Sequence, residues 1–330
     1  MAAVRIGFFG AGGIAQHHLN HLKEIPEANI AALCDIDAAR VKAVADPLGA
    51  AVYTDSAKML AEAKLDALYV CVPPHAHGDI EIRAAQKGLH LFVEKPVNLY
   101  LDQAQKAAAA IRKAGVMSQV GYSLRYINSA VRLKEFLNDK IVGTAHVFRW
   151  NGIPGVPWWR RYEQGGGQLV EMTTHQLDLL RWVMGDIAAV SASYSFNRIF
   201  SDQPDVTVPD SQAILIQFKS GASATINTSC GLGKAYLGGV DFAIKDAKVT
   251  WKSDAVVVEP AEQYPLPPMP VETMSIDNAF VRAIASGNRD FLRSPYDDGL
   301  KSAAATLAAN LSAANGGRVV KMSELLSEAD

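Results

Sequence analysis

From Val4 to about Gly121, short apolar runs alternate with amphipathic stretches of helical period. Val4 to Phe9, Ile30 to Cys34, Ala67 to Val72, His90 to Val93 and Met117 to Val120 read as strands, with helices such as Ile14 to Glu24 and Asp102 to Lys113 between them. Apolar strands separated by helices predict βαβ units wound on both sides of a parallel sheet. Beyond Gly121 the texture changes. A helix near Asn128 to Asn138 precedes a strand at Ala145 to Trp150, a loop rich in Gly and Trp, and a long helix from about Gly167 to Val183. Period-two runs follow at Ala189 to Phe196, Gln212 to Phe218, Ala222 to Ser229, Val240 to Ile244, Lys248 to Trp251 and Val256 to Glu259. They predict an open, largely antiparallel sheet with one face on a core. A proline-rich connection, Tyr264 to Pro270, leads to two closing helices. The pattern therefore divides the chain into two α/β domains, residues 1–121 and 122–330.

Composition narrows the partners. With 32 Lys and Arg against 34 Asp and Glu, the net charge of -2 gives no broad positive field for nucleic acid or acidic membranes. No apolar stretch approaches the roughly 20 residues of a membrane span. The N-terminus runs straight into a strand without a signal peptide, so a cytoplasmic protein is expected. Cys34, Cys71 and Cys230 are odd in number and lie in apolar, strand-like contexts, as buried reduced thiols do.

Gly10-Ala11-Gly12-Gly13-Ile14-Ala15 falls between the first strand and the first helix, the place where a dinucleotide fingerprint works. Gly10 permits the tight turn, Gly12 admits a pyrophosphate close to the backbone, and Ala15 keeps helix and strand together. The second strand ends in Cys34-Asp35-Ile36-Asp37, placing a carboxylate where the adenosine ribose hydroxyls would meet it. Turn and carboxylate together predict a Rossmann domain. Asp35 favours NAD over NADP, because a carboxylate repels a 2′-phosphate; Arg40 either approaches such a phosphate or is a solvated helix residue. Pro73, His75 and His77 follow the strand at Ala67 to Val72 and border the same crevice. The two histidines suit capping and loop packing beside the cofactor better than metal ligation, since no further ligands lie near them in sequence.

Glu94-Lys95-Pro96 closes the strand at His90 to Val93, so Lys95 stands at a carboxyl strand end, where it can polarise a carbonyl or ease loss of a hydroxyl proton. The plain alternative is a surface lysine paired with Glu94. Pro96 suggests a rigid turn that admits a cis bond. In the second domain, Glu171, His175 and Asp178 stand at i, i+4 and i+7, one helix face that serves acid–base chemistry, metal ligation or simply a polar interface.

The Gly10 turn, Glu94-Lys95-Pro96, Gly121-Tyr122-Ser123-Leu124-Arg125-Tyr126 and the Gly165-Gly166-Gly167 segment leading to Glu171 and His175 together resemble the Gfo/Idh/MocA oxidoreductase family. The resemblance spans nearly the whole chain. It implies oxidation of a sugar or cyclitol hydroxyl, or the reverse, with a nicotinamide cofactor and no metal, at a site between the domains. Lys95 and His175 match the family's catalytic pair, with Glu171 orienting His175. Gly10, Gly12, Gly13, Ile14, Asp35, Ile36, Arg40, Pro73, His75, His77, Glu94 and Lys95 are then expected at the cofactor. Trp158-Trp159-Arg160-Arg161 resembles the family's loop over nicotinamide and substrate, with Arg160 the cofactor contact. Tyr122, Arg125, Trp158, Thr174, Glu171, Lys95 and His175 are expected at the substrate. Two departures blur its identity: Glu171 stands where inositol dehydrogenases commonly carry aspartate, and Leu124 where polyol-oxidising relatives carry a second basic residue. The same residues would serve a redox-assisted lyase or glycosidase that recycles NAD; a non-catalytic NAD(P) sensor would not need them. The free face of the second sheet implies a homodimer or homotetramer.

Overall fold

The computed structural model describes residues 3–262, 264–270 and 274–326. Two compact units emerge, one of Met1–Tyr122 with Met274–Leu300, the other of Ser123–Thr273 with Lys301–Asp330. The periodicity predicts a single cut at residue 121; the structure differs because a late helix carries an apolar face, Ala279, Phe280 and Ala283, that is fully buried in the first unit.

The first unit runs β1 (Val4–Phe9), α1 (Gly13–Leu22), β2 (Ala28–Cys34), α2 (Ala38–Ala45), β3 (Ala51–Tyr53), α3 (Ser56–Glu62), β4 (Ala67–Val70), α4 (Ile80–Gln86), β5 (His90–Val93), α5 (Leu101–Ala114) and β6 (Ser118–Val120). Its six strands pair in the order β3-β2-β1-β4-β5-β6, and every pairing is parallel. This is the doubly wound Rossmann order, with the reversal of winding between β1 and β4, where such sheets open a crevice at their carboxyl ends. β4 and most of β5 are buried on both faces, as a sheet covered twice requires. Tyr69 stacks between Phe8 and Phe92, at 4.8 and 4.4 Å between ring centroids, and Phe280 meets Tyr69 and Phe92 edge-on. The three-residue β3 is too short to leave a period in the sequence.

The second unit contains α6 (Asn128–Leu137), β7 (Val142–Trp150), the short α7 (Tyr162–Gly165), α8 (Thr174–Met184), β8 (Ile187–Ser195), β9 (Ser211–Phe218), β10 (Ser223–Ser229), β11 (Leu237–Ile244), β12 (Ala247–Lys252) and β13 (Ala255–Glu259). The late helix of the first unit is α9 (Ile276–Ser286); α10 (Tyr296–Ala314) follows it, and the two-residue β14 (Val320–Lys321) closes the set. The sheet order is β13-β12-β11-β7-β10-β9-β8-β14, antiparallel except where β7 lies parallel to β10. Burial alternates along β9, Ile214 and Ile216 inward and Leu215 and Gln217 outward. Trp150, Leu215, Leu237 and Val257 project from the outward face, 38–49% exposed, and register places Leu237 opposite Trp150.

Beneath the sheet, α8 is pinned by charge. Arg125 donates from Nε and Nη2 to the two oxygens of Asp178, at 2.8 and 2.6 Å, and Ser302 donates to the same carboxylate at 2.6 Å. Both charged residues are buried, and a buried pair is costly to break because the survivor keeps its charge without its partner. Asp178→Ala is therefore expected to cost about 3–5 kcal/mol, read as a fall in the urea midpoint; an unchanged midpoint would refute this account of the pair.

Candidate active site

Four strand ends of the first unit carry polar chemistry toward the same edge of the sheet. After β1, Gly10 has φ +101°, and a Cβ there would run into the Cys71 carbonyl, so only glycine lets the β1 and β4 ends approach this closely. Gly12 caps α1 without any side-chain hydrogen bond, and Gly12 and Gly13 face open space. The amides of this first helical turn have no partner within the helix and are the groups that a pyrophosphate would meet there. After β2, Asp35 is nearly buried and accepts from the Ala11 and Asp37 backbone N–H groups at 2.8 and 2.9 Å. That fixes its carboxylate beside the turn. Ile36, 92% exposed, and Ile14, 42% exposed, present apolar surface on either side. Arg40 folds back onto Asp37 at 2.9 Å and lies 3.4 Å from Asp35.

After β4, Pro73 is half-buried and His75 exposed, but His77 is buried with its Nδ1 against Glu81. The His77 side chain, expected at the cofactor, thus has its partner on the next helix. Among the described residues no three His, Cys, Asp or Glu side chains gather as a metal-holding group.

After β5, Lys95 is half-buried and its peptide bond to Pro96 is cis. The adjoining Glu94 is buried. Its side chain turns into the core, where Oε1 lies 3.0 Å from His18 Nε2 and Oε2 accepts the Lys95 backbone N–H at 3.1 Å. A buried carboxylate needs such partners, and the space beside Gly121 admits it: a Cβ at Gly121 would collide with the Glu94 carboxylate.

In the second unit, the helix expected over Gly167 to Val183 begins with a π-wound turn, Leu169–Thr173, before α8. Its wider i→i+5 winding breaks the single α-helical face on which Glu171, His175 and Asp178 were aligned. Asp178 serves Arg125 and Ser302, while Glu171 and His175 remain half-buried. Trp159, beside the Trp158 expected at the substrate, is the residue that holds Glu171: its indole Nε1 donates to Oε2 at 2.8 Å. Trp159 is fully buried and Trp158 partly so; only the contact of a buried indole with a carboxylate, invisible in sequence, separates them.

Four further residues of the expected site have the following surroundings. Tyr122, Arg125 and Thr174, placed at the substrate by resemblance, are buried within their units, Arg125 by its bidentate pair. Arg160, expected at the cofactor, binds Asp205 and Gln203 through its guanidinium.

The three cysteines are free and buried. Burial pushes the Cys34 thiol up to about 11 and the Cys230 thiol up to about 12, so neither supplies a thiolate nucleophile near neutrality. No described helix is long and apolar enough to cross a membrane.

Comparison with known proteins agrees with this geometry. Residues 4–122 match the oxidoreductase family GFO_IDH_MocA, an NAD-binding Rossmann fold, and residues 131–245 match the GFO/IDH/MocA C-terminal domain. The uncharacterized oxidoreductase YrbE of Bacillus subtilis (strain 168) is 32% identical over 228 residues, 68% of this chain and 66% of that protein. Myo-inositol 2-dehydrogenase of Thermotoga maritima is 29% identical over 68% of each chain. The chain thus aligns with about two thirds of the length of these curated relatives. The crystal structure of the WlbA dehydrogenase from Bordetella pertussis, in complex with NADH and UDP-GlcNAcA, shares the fold with a TM-score of 0.84, covering 97% of this chain and 98% of that one at 21% identity. With both of its domains matched in order, the chain belongs to the Gfo/Idh/MocA oxidoreductase family.

Proposed function

We propose that the protein is an NAD-dependent dehydrogenase that transfers hydride between a hydroxyl of a sugar, sugar derivative or cyclitol and the nicotinamide. The observation that carries this reading is the position of Lys95, half-buried at the carboxyl end of β5 on the strand edge that also bears the uncapped Gly12 turn and Asp35. A cation at that edge meets a polar oxygen, not a phosphate, because the phosphates have the helix amides. The relatives' names support the substrate class, since they include an inositol dehydrogenase.

When bound, the nicotinamide supplies the hydride acceptor. Lys95 hydrogen-bonds the reacting oxygen and stabilises the negative charge that develops as its proton leaves. His175 takes that proton, and Glu171, itself held by the Trp159 indole, orients His175 and binds a neighbouring hydroxyl. Glu171 tied to Trp159 cannot swing freely, so it favours polyols whose adjacent hydroxyls have a fixed relative geometry.

A screen of sugars, sugar acids and inositols with NAD and NADP, read by absorbance of the reduced cofactor, identifies the substrate; product formed without net NADH would replace the dehydrogenase by a redox-assisted lyase. On that substrate, Lys95→Ala and His175→Ala are each expected to lower kcat/KM by about 100- to 10,000-fold while NADH still binds. Normal turnover in both variants would sink the assignment.

Asp35 supports NAD over NADP, and Arg40, already beside it, would be released toward a 2′-phosphate if the carboxylate were removed. Asp35→Ser is expected to shift the ratio of kcat/KM values toward NADP by about tenfold or more; an unmoved ratio would contradict the role of Asp35.

The outward sheet face, with Trp150, Leu215, Leu237 and Val257, supports a homodimer or homotetramer, because burying such a face removes apolar surface from water. Light scattering of the wild type should give a dimer or tetramer and of Leu215→Glu/Leu237→Glu a smaller species. A monomeric wild type would overturn the assembly.

A further inference from the structure

Helix α1 turns Ala15, His18, Leu19 and Leu22 inward, so a histidine occupies a position where the helical pattern wants an apolar side chain. The ring of His18 packs edge-on against Phe92, at 4.8 Å between centroids, and 5.6 Å from Tyr69. Its Nδ1 lies 2.7 Å from Asp277 Oδ1 and its Nε2 3.0 Å from Glu94 Oε1. Ionised carboxylates only accept, so both ring nitrogens must carry hydrogen and the ring is a cation. Burial opposes that charge, but the hydrogen bonds to Asp277 and Glu94 outweigh it and raise His18 to about 10. Asp277, fully buried at the start of α9, also accepts from His21 Nδ1 at 2.9 Å. Burial works against its ionised form too, yet the two histidines hold it below the usual carboxylate range.

A buried ion cluster is a poor way to gain stability, since well-packed apolar residues would serve as well or better. Its geometry gives it another use. The same Glu94 carboxylate that His18 grips accepts the backbone N–H of Lys95 through its other oxygen.

We propose that His18 is a positioning residue for Lys95: bridging Asp277 and Glu94, it fixes the carboxylate that receives the Lys95 N–H, and so ties the strand end bearing Lys95 to the helix that opens from the phosphate turn. The assignment rests on Lys95 being the group that meets the substrate oxygen. Without the cation, Glu94 and Asp277 are two buried carboxylates with like charge, and desolvation together with repulsion drives Glu94 from its place. The peptide it held then shifts, and a displacement of about 1 Å at a reacting group is enough to cost about 100-fold in rate. The clamp also makes the placing of Lys95 depend on α1, which opens from the Gly12 turn.

The test uses the full chain carrying His18→Gln, Glu94→Gln or both. With the polyol found in the screen, each single variant is expected to lose kcat by about 10- to 100-fold with little change in the KM for NAD. The double variant is expected to be no worse than the poorer single, because both changes break one linkage. A readout that needs no substrate runs in parallel: trace acetylation with acetic anhydride, quantified at each lysine by mass spectrometry. In both single variants the rate at Lys95, relative to the exposed Lys42 and Lys248, should change by about threefold or more. Losses in kcat that multiply in the double variant, or Lys95 acetylation unchanged in the folded variants, would overturn the proposal. A wild type that oxidises no polyol while Lys95 acetylation still shifts in the variants would overturn the dehydrogenase reading and leave the clamp standing. If His18→Gln fails to fold, the nearly isosteric Glu94→Gln decides through the Lys95 readout alone.

Discussion

The backbone of Gly10 sits so close to the carbonyl of Cys71 that no side chain fits between them. That contact brings the ends of β1 and β4 together at the reversal of winding, and most of the nucleotide unit's chemistry is arranged around it. Because β1 ends there, α1 starts with free amides. Because β2 lies on one flank and β5 on the other, Asp35 and Lys95 fall on opposite sides of the same turn. A bulkier residue at position 10 would not merely strain one dihedral; it would part the two strand ends.

The second unit follows a different economy. Its sheet has one face on helices and one bare, and its candidate chemistry hangs on a turn wound too widely for an α-helix. A π turn is unfavourable locally and is kept where surrounding contacts hold it. Here Glu171 is held from outside by the Trp159 indole, while Asp178, one turn into α8, is held by Arg125 and Ser302. In the sequence, the half-buried His175 falls between two carboxylates that each have a separate anchor.

What could be seen in the sequence was whatever depends on local spacing. The strand-turn-helix around Gly10, the carboxylate at the end of β2 and the lysine at the end of β5 are fixed by the order of residues, and the structure has them where the pattern implies. What could not be seen depends on pairing across long separations. Glu94 looks like a surface partner for Lys95 until His18, 76 residues away, is found beneath it. Arg125 reads as a ligand for hydroxyls, and only the fold brings Asp178 to its Nε and Nη2; Trp159 is indistinguishable from Trp158 until one indole is seen to point at Glu171. Polar side chains are therefore the least legible class, since the same residue type serves a core pair and a binding site with equal ease.

The return of α9 to the first unit bears on how the chain must be made. Phe280 completes the aromatic stack of Tyr69 and Phe92, and Asp277 completes the charge balance around His18. Neither exists until the chain has been made through Phe280, beyond all the long strands of the second unit. Until then the nascent nucleotide unit exposes an apolar patch and holds a buried-site histidine with half its counter-charge, a condition that favours association with other chains. A fragment ending at Tyr122 inherits that condition permanently, so the cofactor domain is not a detachable module, and its integrity reports on synthesis through the second unit's sheet strands to α9.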